Sequence, residues 1–503
     1  MLPKATSVAD DGGAAPRPHP MKIVLLTPPS PQAYRVSRGL MGGFGMAVHP
    51  ELLYPPIELA HVASVLEAEG FAASMVDADA AGLTADTVAA AVLAEEPDLI
   101  CLDSSSTSLE QDLAVACSLR RQSAAVVAIL GSQVTFTPGE LFTEGAVDVV
   151  VRGEPEYIVR DVARRVAAAR QSGTATGPKA RQAAPDFSGV AGTSWARADG
   201  EVVHEAVAEK IGDLDALPTP ARHLLDNAAY SFPGLDGPVT TVKSSRGCPY
   251  DCSFCGYTLA QGLRFRFRSP ENVVAELVEL SRTFGLRHVV FRDPIFTTRK
   301  DRVHAICDGI RREGLDLAWQ CETAVKTLDP PLLEAMAAAG CTHISLGVES
   351  GDAGLQKEYC GNKLNDQAQA QEVFDSCRRL GIETRAFCML GFPGETREMI
   401  ASTFDLVERL DPDQVQFCAV TAYPGTKLFE QLNGEGRLDY AAMTGVQALE
   451  GNEHLSAEEI NDLIAAGYRR FYRRPRRLVR ELRHPLRLAG RLARYLRLRR
   501  EGA

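Results

Sequence analysis

The 503-residue chain contains no apolar run near the ~18 residues that a membrane-crossing helix requires. Its first 20 residues lack any apolar stretch and carry Asp10, Asp11 and several prolines, which predicts a disordered leader rather than a secretory signal. Cysteine is sparse, at 12 residues, and several cysteines, Cys341 and Cys388 among them, sit inside apolar runs. A disulfide framework is therefore excluded, and the usage points to a reducing cytoplasm. No repeat of fixed period is present.

Hydrophobic residues make up 45% of the chain, enough for more than one core, and the length allows roughly three domains or fewer. The formal net charge of -11 is strongly polarised. Residues Tyr468 to Arg500 hold 14 arginines against one glutamate, so the remainder carries about -24. Leu482, Leu486, Leu488, Leu492 and Leu496 recur at near-helical spacing in this stretch, with Pro475 and Pro485 as breaks. Such a basic amphipathic helix suits anionic lipid headgroups and a place at the inner face of a membrane. The plainer reading is a solvated end, or a helix packed on the acidic body of the same chain. Nucleic acid is not an expected partner, because only Phe471, Tyr472 and Tyr495 offer stacking groups there and an acidic body repels phosphates.

From Met21 the chain alternates apolar strands with amphipathic helices. Strands are predicted at Ile23 to Leu26, Ala72 to Asp77, Leu99 to Asp103, Ala125 to Leu130 and Val147 to Val151. Helices fall between them, the last over Glu156 to Ala168. Such alternation describes a doubly wound parallel sheet, an α/β Rossmann-like domain that binds ligands at the carboxyl ends of its strands. A Gly-, Ala- and Gln-rich linker follows over Ala169 to Ala184, then a hairpin over Ser194 to His204 centred on Asp199-Gly200.

A second alternation starts at Val239. Six strand-helix units, with strands near Val242, Val289, Trp319, Ile344, Thr384 and Val415, fit a partial (β/α)6 TIM-like barrel. The expected organisation is a leader (1–20), a first domain (21–170), linker and hairpin (171–237), the barrel (238–435) and a basic helical C-terminal region (436–503).

In the loop after the first barrel strand stands Arg246-Gly247-Cys248-Pro249-Tyr250-Asp251-Cys252-Ser253-Phe254-Cys255. Three thiolates spaced C-x3-C-x2-C can hold three irons of a 4Fe-4S cluster and leave the fourth iron open to a small molecule. Structural zinc normally takes four Cys or His ligands. The nearest further candidates, His288 and Cys307, are distant in sequence, which disfavours a closed tetrahedral site.

This spacing, with the aromatic Phe254 before the last cysteine, resembles the signature of the radical S-adenosylmethionine (radical SAM) superfamily. The resemblance extends over Val239 to about Leu432 and implies Cys248, Cys252 and Cys255 as cluster ligands. It also implies that S-adenosylmethionine chelates the open iron and is cleaved to a 5'-deoxyadenosyl radical by an electron from an external flavodoxin- or ferredoxin-type donor. By the same resemblance, Asp293 in Phe291-Arg292-Asp293-Pro294 accepts from the methionine ammonium. Glu349 and Ser350 hold the ribose, Phe254 lies beside the cofactor, and Gly391 lets the backbone approach adenine. Many relatives carry a second acid where Pro294 stands.

A doubly wound domain upstream of such a barrel resembles the cobalamin-binding half of the B12-dependent radical SAM enzymes. Usual B12 domains show D-x-H-x-x-G, with the histidine as lower ligand to cobalt. Here the run is Asp77-Ala78-Asp79-Ala80-Ala81-Gly82, with Asp79 in the histidine's place. A carboxylate is a poor match for corrin cobalt, so ligation by a protein histidine is not expected from this motif. Tyr54, Ser106, Gly131, Ser132, Thr135, Gly153 and Glu154 complete the set that the resemblance places around the corrin and its nucleotide tail. The alternative is a flavodoxin-like domain that binds no corrin.

Together these features imply methyl transfer from S-adenosylmethionine, through methylcobalamin, to an unactivated carbon of a small-molecule substrate such as a natural-product or lipid intermediate. Two alternatives stay open: a cyclase or rearrangement enzyme of the same architecture, and a non-catalytic iron-sulfur electron-transfer protein. No residue stands out as a general base, Cys101 and Cys418 read as buried structural thiols, and a monomer or dimer is expected.

Overall fold

The computed structural model describes residues 21–142, 145–171, 185–197, 199–364, 366–432 and 442–474. The leader, most of the linker and the arginine-rich stretch from residue 475 onward lie outside the described residues.

The first domain is a seven-stranded sheet. In chain order its strands are β1 (Lys22–Thr27), β2 (Ala72–Asp77), β3 (Leu99–Asp103), β4 (Val126–Leu130), β5 (Val149–Val151), β6 (Thr193–Ala196) and β7 (Val202–His204). Their spatial order is β2-β1-β3-β4-β5-β6-β7, parallel through β5. This flavodoxin-like order reverses direction between β1 and β3, and there a ligand crevice opens at the strand ends. Apolar side chains of β3 and β4 point alternately to two separate cores, one under α1 (Ile57–Ala68) and α4 (Pro155–Gln171), the other under α2 (Val88–Leu93) and α3 (Leu109–Gln122). The hairpin, read from sequence as part of a linker, instead adds β6 and β7 antiparallel to the β5 edge. It covers backbone groups that an edge strand would leave open.

The second domain carries six parallel strands in chain order: β8 (Val239–Val242), β9 (His288–Phe291), β10 (Ala318–Ala324), β11 (Cys341–Glu349), β12 (Glu383–Leu390) and β13 (Gln414–Ala419). Each is followed by helix, the principal ones being α5 (Pro270–Arg282), α6 (Lys300–Arg312), α7 (Pro330–Ala338), α8 (Gln367–Leu380) and α9 (Arg397–Leu410). Sequence cues set their starts. Ser269 and Asp329 accept from backbone N–H groups of the first turns of α5 and α7, each with proline at the next position. The sheet does not close. The free edge of β13 is covered by α10 (Ala457–Tyr472), opened by a Ser456/Glu459 capping box. The Tyr468 hydroxyl accepts from Phe417 N at 3.1 Å, and the Tyr472 hydroxyl from Val415 N at 3.4 Å. Arg470, at the start of the basic stretch, meets Asp405 at 2.6 Å and Glu408 at 2.9 Å on α9.

A buried ion network joins the two domains. Glu154 and Glu156 sit at the N-terminus of α4, where the helix dipole favours acids. Arg266 meets Glu154 at 2.5 Å, and Arg246 pairs with Glu156 and approaches Glu154 at 3.5 Å, all four side chains being essentially inaccessible. Arg246 begins the cysteine loop, so that loop is fixed to the first domain at its base. Breaking a buried pair leaves an uncompensated charge, at a cost of about 3–5 kcal/mol. Glu156→Ala is expected to lower the urea midpoint of the full chain by an amount corresponding to that loss. A shift equivalent to under about 1 kcal/mol, as for an exposed pair, would contradict this account.

Candidate active site at the domain junction

One cavity of about 680 Å³ lies between the carboxyl ends of the two sets of strands and reaches into the barrel as far as Arg385 and Gln414. Its barrel wall includes Cys248, Cys252, Phe254, Cys255, Glu349, Lys363, Arg385 and Met389. Its other wall includes Thr27, Arg38, Tyr54, Asp77, Asp79 and Asp103. The volume falls in the range of natural small-molecule sites.

The three thiols face this cavity on a loop held from behind. Phe254 packs edge-on against Phe392 at 5.7 Å, and Tyr359 stacks on Phe392 at 5.3 Å, forming an apolar backing with Cys360 and Leu428. Gly361, at φ +63, lies against Cys252, and a Cβ there would stand 3.3 Å from the sulfur, so glycine leaves room at this thiol. Burial raises all three thiols, Cys252 to about 11, and nearby Lys363 opposes the shift. Metal loading must therefore displace protons. Among the described residues, no three His, Cys, Asp or Glu side chains converge closely enough to hold a single ion. Cys360, the neighbouring thiol, is fully buried behind the loop and does not line the cavity.

Lys363, not singled out from sequence, stands between the thiols and Glu349. Its ammonium meets Glu349 at 2.7 Å and lies 6.0 Å from the Phe254 ring centroid. Burial acts to lower its pKa, but Glu349 and the thiols more than reverse this, and the group stays charged. Glu349 holds φ +61, a left-handed conformation rare for a non-glycine residue, at an irregularity in the β11–β12 pairing. The ion pair and this kink aim its carboxylate into the cavity.

Other expected S-adenosylmethionine residues are placed differently. Asp293 is fully buried and absent from the cavity wall; it accepts from Ser244 Oγ at 2.9 Å and from Ser245 Oγ. These bonds tie it to the segment that leads to the cysteines. Ser350 is likewise enclosed, its Oγ accepting from Asp352 N at 3.1 Å. The Gly391 N–H donates to Glu395 at 2.6 Å, and Gly391 stays off the wall, whereas neighbouring Met389 lies on it.

In the first domain, Tyr54, Asp77 and Asp79 line the cavity. Tyr54 is raised to about 12 by burial, although Arg292, stacked at 5.5 Å, opposes the shift. Asp77 is raised by burial to about 6 and Asp103 to about 7. Asp79 accepts from Ser30 N at 2.9 Å and Ser30 Oγ at 2.5 Å, tying the β1 and β2 loops together. Gly82, at φ +65, forms the turn beyond.

Ser106, Gly131, Ser132, Thr135, Gly153 and Glu154 do not reach the cavity. A segment of the chain itself covers the β3 and β4 ends, where the sequence placed a nucleotide tail. Ser132 Oγ donates to Gly42 O, Ser106 N donates to Phe44 O at 2.8 Å, and fully buried Phe44 stacks on Phe136 at 5.8 Å. Gly42, Gly43 and Gly45 all have positive φ, and a Cβ on Gly43 or Gly45 would overlap Ser132 or Ser105. Ser106 also donates to Gln133 at 2.9 Å, and Thr135 accepts from Gly153 N at 3.1 Å. The glycine density of Gly42-Gly43-Phe44-Gly45 was the available signal for this close approach. Glu154 belongs to the interdomain network.

Residues 242–407 match the radical SAM superfamily, and residues 45–163 match the B12 binding domain. An uncharacterized methyltransferase of Pyrococcus horikoshii, PH0819, is 29% identical over 92% of this chain and 95% of its own length. The anaerobic magnesium-protoporphyrin IX monomethyl ester cyclase of Rubrivivax gelatinosus is 26% identical over 83% of this chain and 74% of its own. The radical S-adenosylmethionine methyltransferase TsrM of Kitasatospora setae, solved with cobalamin and a [4Fe-4S] cluster, shares the fold, with a TM-score of 0.64 and 20% identity over 82% of this chain and 76% of that one. Both domains occur here in one chain, in that order, with three thiols and the switch-point carboxylates on a shared cavity. The protein is a member of the cobalamin-binding radical SAM enzymes, whose cofactors are a 4Fe-4S cluster, S-adenosylmethionine and cobalamin.

Proposed function

We propose that the protein transfers a methyl group from S-adenosylmethionine, by way of cobalamin, to a carbon atom of a small molecule. The observation that carries this reading is the single cavity shared by the cysteine loop and the β1/β3 switch point. When bound there, the cluster with S-adenosylmethionine supplies one-electron bond cleavage, and the corrin supplies a methyl group that a carbon-centred acceptor can take.

The chain's own residues position and insulate these groups. Cys248, Cys252 and Cys255 hold the cluster, with Phe254 and Phe392 excluding water behind it. Lys363 places a fixed positive charge beside it, while Glu349 faces the same space and is the best-placed acceptor for ligand hydroxyls. Tyr54, Asp77 and Asp103 present the polar face on the corrin side. Lys243 keeps Glu58 ionised on the wall between the two halves: burial pushes that carboxyl up, but the 2.7 Å ion pair holds it at about 2. Electrons come from an external flavodoxin- or ferredoxin-type protein in this scheme.

Anaerobic reconstitution of the full chain with iron, sulfide and hydroxocobalamin, followed by incubation with S-adenosylmethionine and reductant, is expected to yield both 5'-deoxyadenosine and S-adenosylhomocysteine. The first product without the second removes methyl transfer and leaves a rearranging or ring-forming enzyme of the same architecture. Alanine at any one of the three cysteines is expected to abolish the cluster's visible absorbance and 5'-deoxyadenosine formation; retention of both would end the ligand assignment. Removing the Lys363 charge in Lys363→Met is expected to lower the cluster's reduction potential by tens of millivolts, read by EPR-monitored titration, because local charge is one of the determinants of that potential.

A further inference from the structure

We infer that Arg385 is the substrate's anchor, and that the substrate is an acid: a small molecule with an apolar body and a carboxylate or phosphate-type oxyanion. This rests on the proposed function only in reading the cavity as the place where substrate meets the cofactors.

Five cationic side chains line the cavity: Arg38, Lys243, Arg292, Lys363 and Arg385. Arg38 pairs with Asp112 at 2.7 Å, Lys243 with Glu58 at 2.7 Å, Arg292 with Glu322 at 2.7 Å and Lys363 with Glu349 at 2.7 Å. Arg385 alone has no carboxylate partner among the described residues. Its Nε and Nη2 both donate to Gln414 Oε1, at 3.0 and 2.6 Å, and its Nη1 makes no hydrogen bond among the described residues. The amide fixes the plane of the guanidinium without neutralising it. A half-buried cation that faces a cavity without a counter-charge is open to a ligand that supplies one, and a guanidinium fork is shaped for a carboxylate or phosphate.

The position suits a substrate better than S-adenosylmethionine. The inward row of β12 is Arg385, Phe387 and Met389, and Met389 packs in the apolar group around Cys252 and Phe254. Arg385 lies four residues earlier, about 13 Å down the strand from the cluster end. Its neighbours across the pairing are Ser345 on β11 and Gln414 on β13. Both line the cavity, as do the apolar Phe387 on β12 and Val415 on β13 beside them. His343, one layer deeper on β11, is held neutral, at about 3, by burial and by Arg385 itself, so it adds no competing charge.

Isothermal titration of the reconstituted full-length protein with 1-naphthylacetate and with its neutral isostere 1-naphthylacetamide tests the assignment. The acid is expected to bind at least about tenfold more tightly than the amide, as a charge-assisted fork predicts. Arg385→Gln should abolish that preference while leaving amide affinity within about twofold, and Arg385→Lys should retain part of it. Gln414→Met, which removes the amide that fixes the guanidinium plane without altering charge, serves where the arginine variants do not fold and should reduce the preference; an unchanged preference there overturns the inference. The inference is overturned if wild-type protein binds the amide as tightly as the acid or binds neither, or if Arg385→Gln keeps the preference. It is also overturned if Arg385→Gln weakens S-adenosylmethionine binding in parallel, which would make Arg385 a cofactor anchor. Because heat of binding is measured and not turnover, failure of methyl transfer leaves this outcome readable.

Discussion

The arrangement depends on one buried electrostatic contact, the meeting of Glu154 and Glu156 at the head of α4 with Arg246 and Arg266 of the barrel. Two charges of each sign are removed from water together, and each keeps its counter-charge only while the domains stay docked. A hydrophobic patch in the same place would hold the domains together but tolerate sliding; bidentate pairs fix register and angle. Since Arg246 and Gly247 lead directly into Cys248, the same contact sets where the cysteine loop stands relative to the β1/β3 crevice. Docking and cofactor alignment are thus one constraint. A second buried group, Glu276 with Arg222 and Arg268, carries that rigidity on to α5 and the segment preceding β8.

Much of the fold was legible in the sequence because it rests on local periodicity. Strands such as Ala72–Asp77 and Leu99–Asp103 are continuous apolar or small-residue runs between turn signals, and their bounds were read to the residue. The partial barrel and the position of the three cysteines after its first strand were equally plain. What periodicity could not give was pairing across long sequence separations. The Thr193–His204 hairpin reads as a hairpin from its Asp-Gly turn, but nothing local says that it completes the first sheet. Likewise Arg-Gly-Glu at 152–154 looked like a cofactor loop, whereas the partner that claims Glu154 is Arg266, 112 residues away.

The candidate site shows the same division. Motif residues that define chemistry through covalent spacing, Cys248, Cys252 and Cys255, lie on the cavity as read. Residues assigned by position in a motif alone separate into two groups. Glu349, Tyr54, Asp77 and Asp79 reach the cavity, whereas Asp293, Ser350 and Gly391 are turned into the protein by bonds to Ser245, Thr403 and Glu395. The difference lies in which hydrogen bond each group finds first in three dimensions. Lys363 and Arg385 carried no motif at all; an isolated lysine after Asn362 and an arginine in a strand are common. They become meaningful only when their charge partners are examined.

That electrostatic pattern says why the cavity is divided as it is. On the cluster side, Lys363 opposes negative charge accumulating on thiolates, and its own partner Glu349 keeps the ammonium from turning away. On the crevice side the acids are of a different kind: burial raises Asp77 to about 6 and Asp103 to about 7, so each gains a proton, and with it a donor, at a higher pH than an ordinary carboxylate. Amide-bearing ligands, such as the corrin periphery, need both donors and acceptors, and carboxyls that titrate near neutrality can serve as either. Between these two faces the wall is balanced by Lys243 with Glu58 and Arg292 with Glu322, and the one lining cation without an ion pair among the described residues lies deeper, on β12. A cavity in which every other cation is matched places that residual charge where a third molecule, neither cluster nor corrin, completes the set.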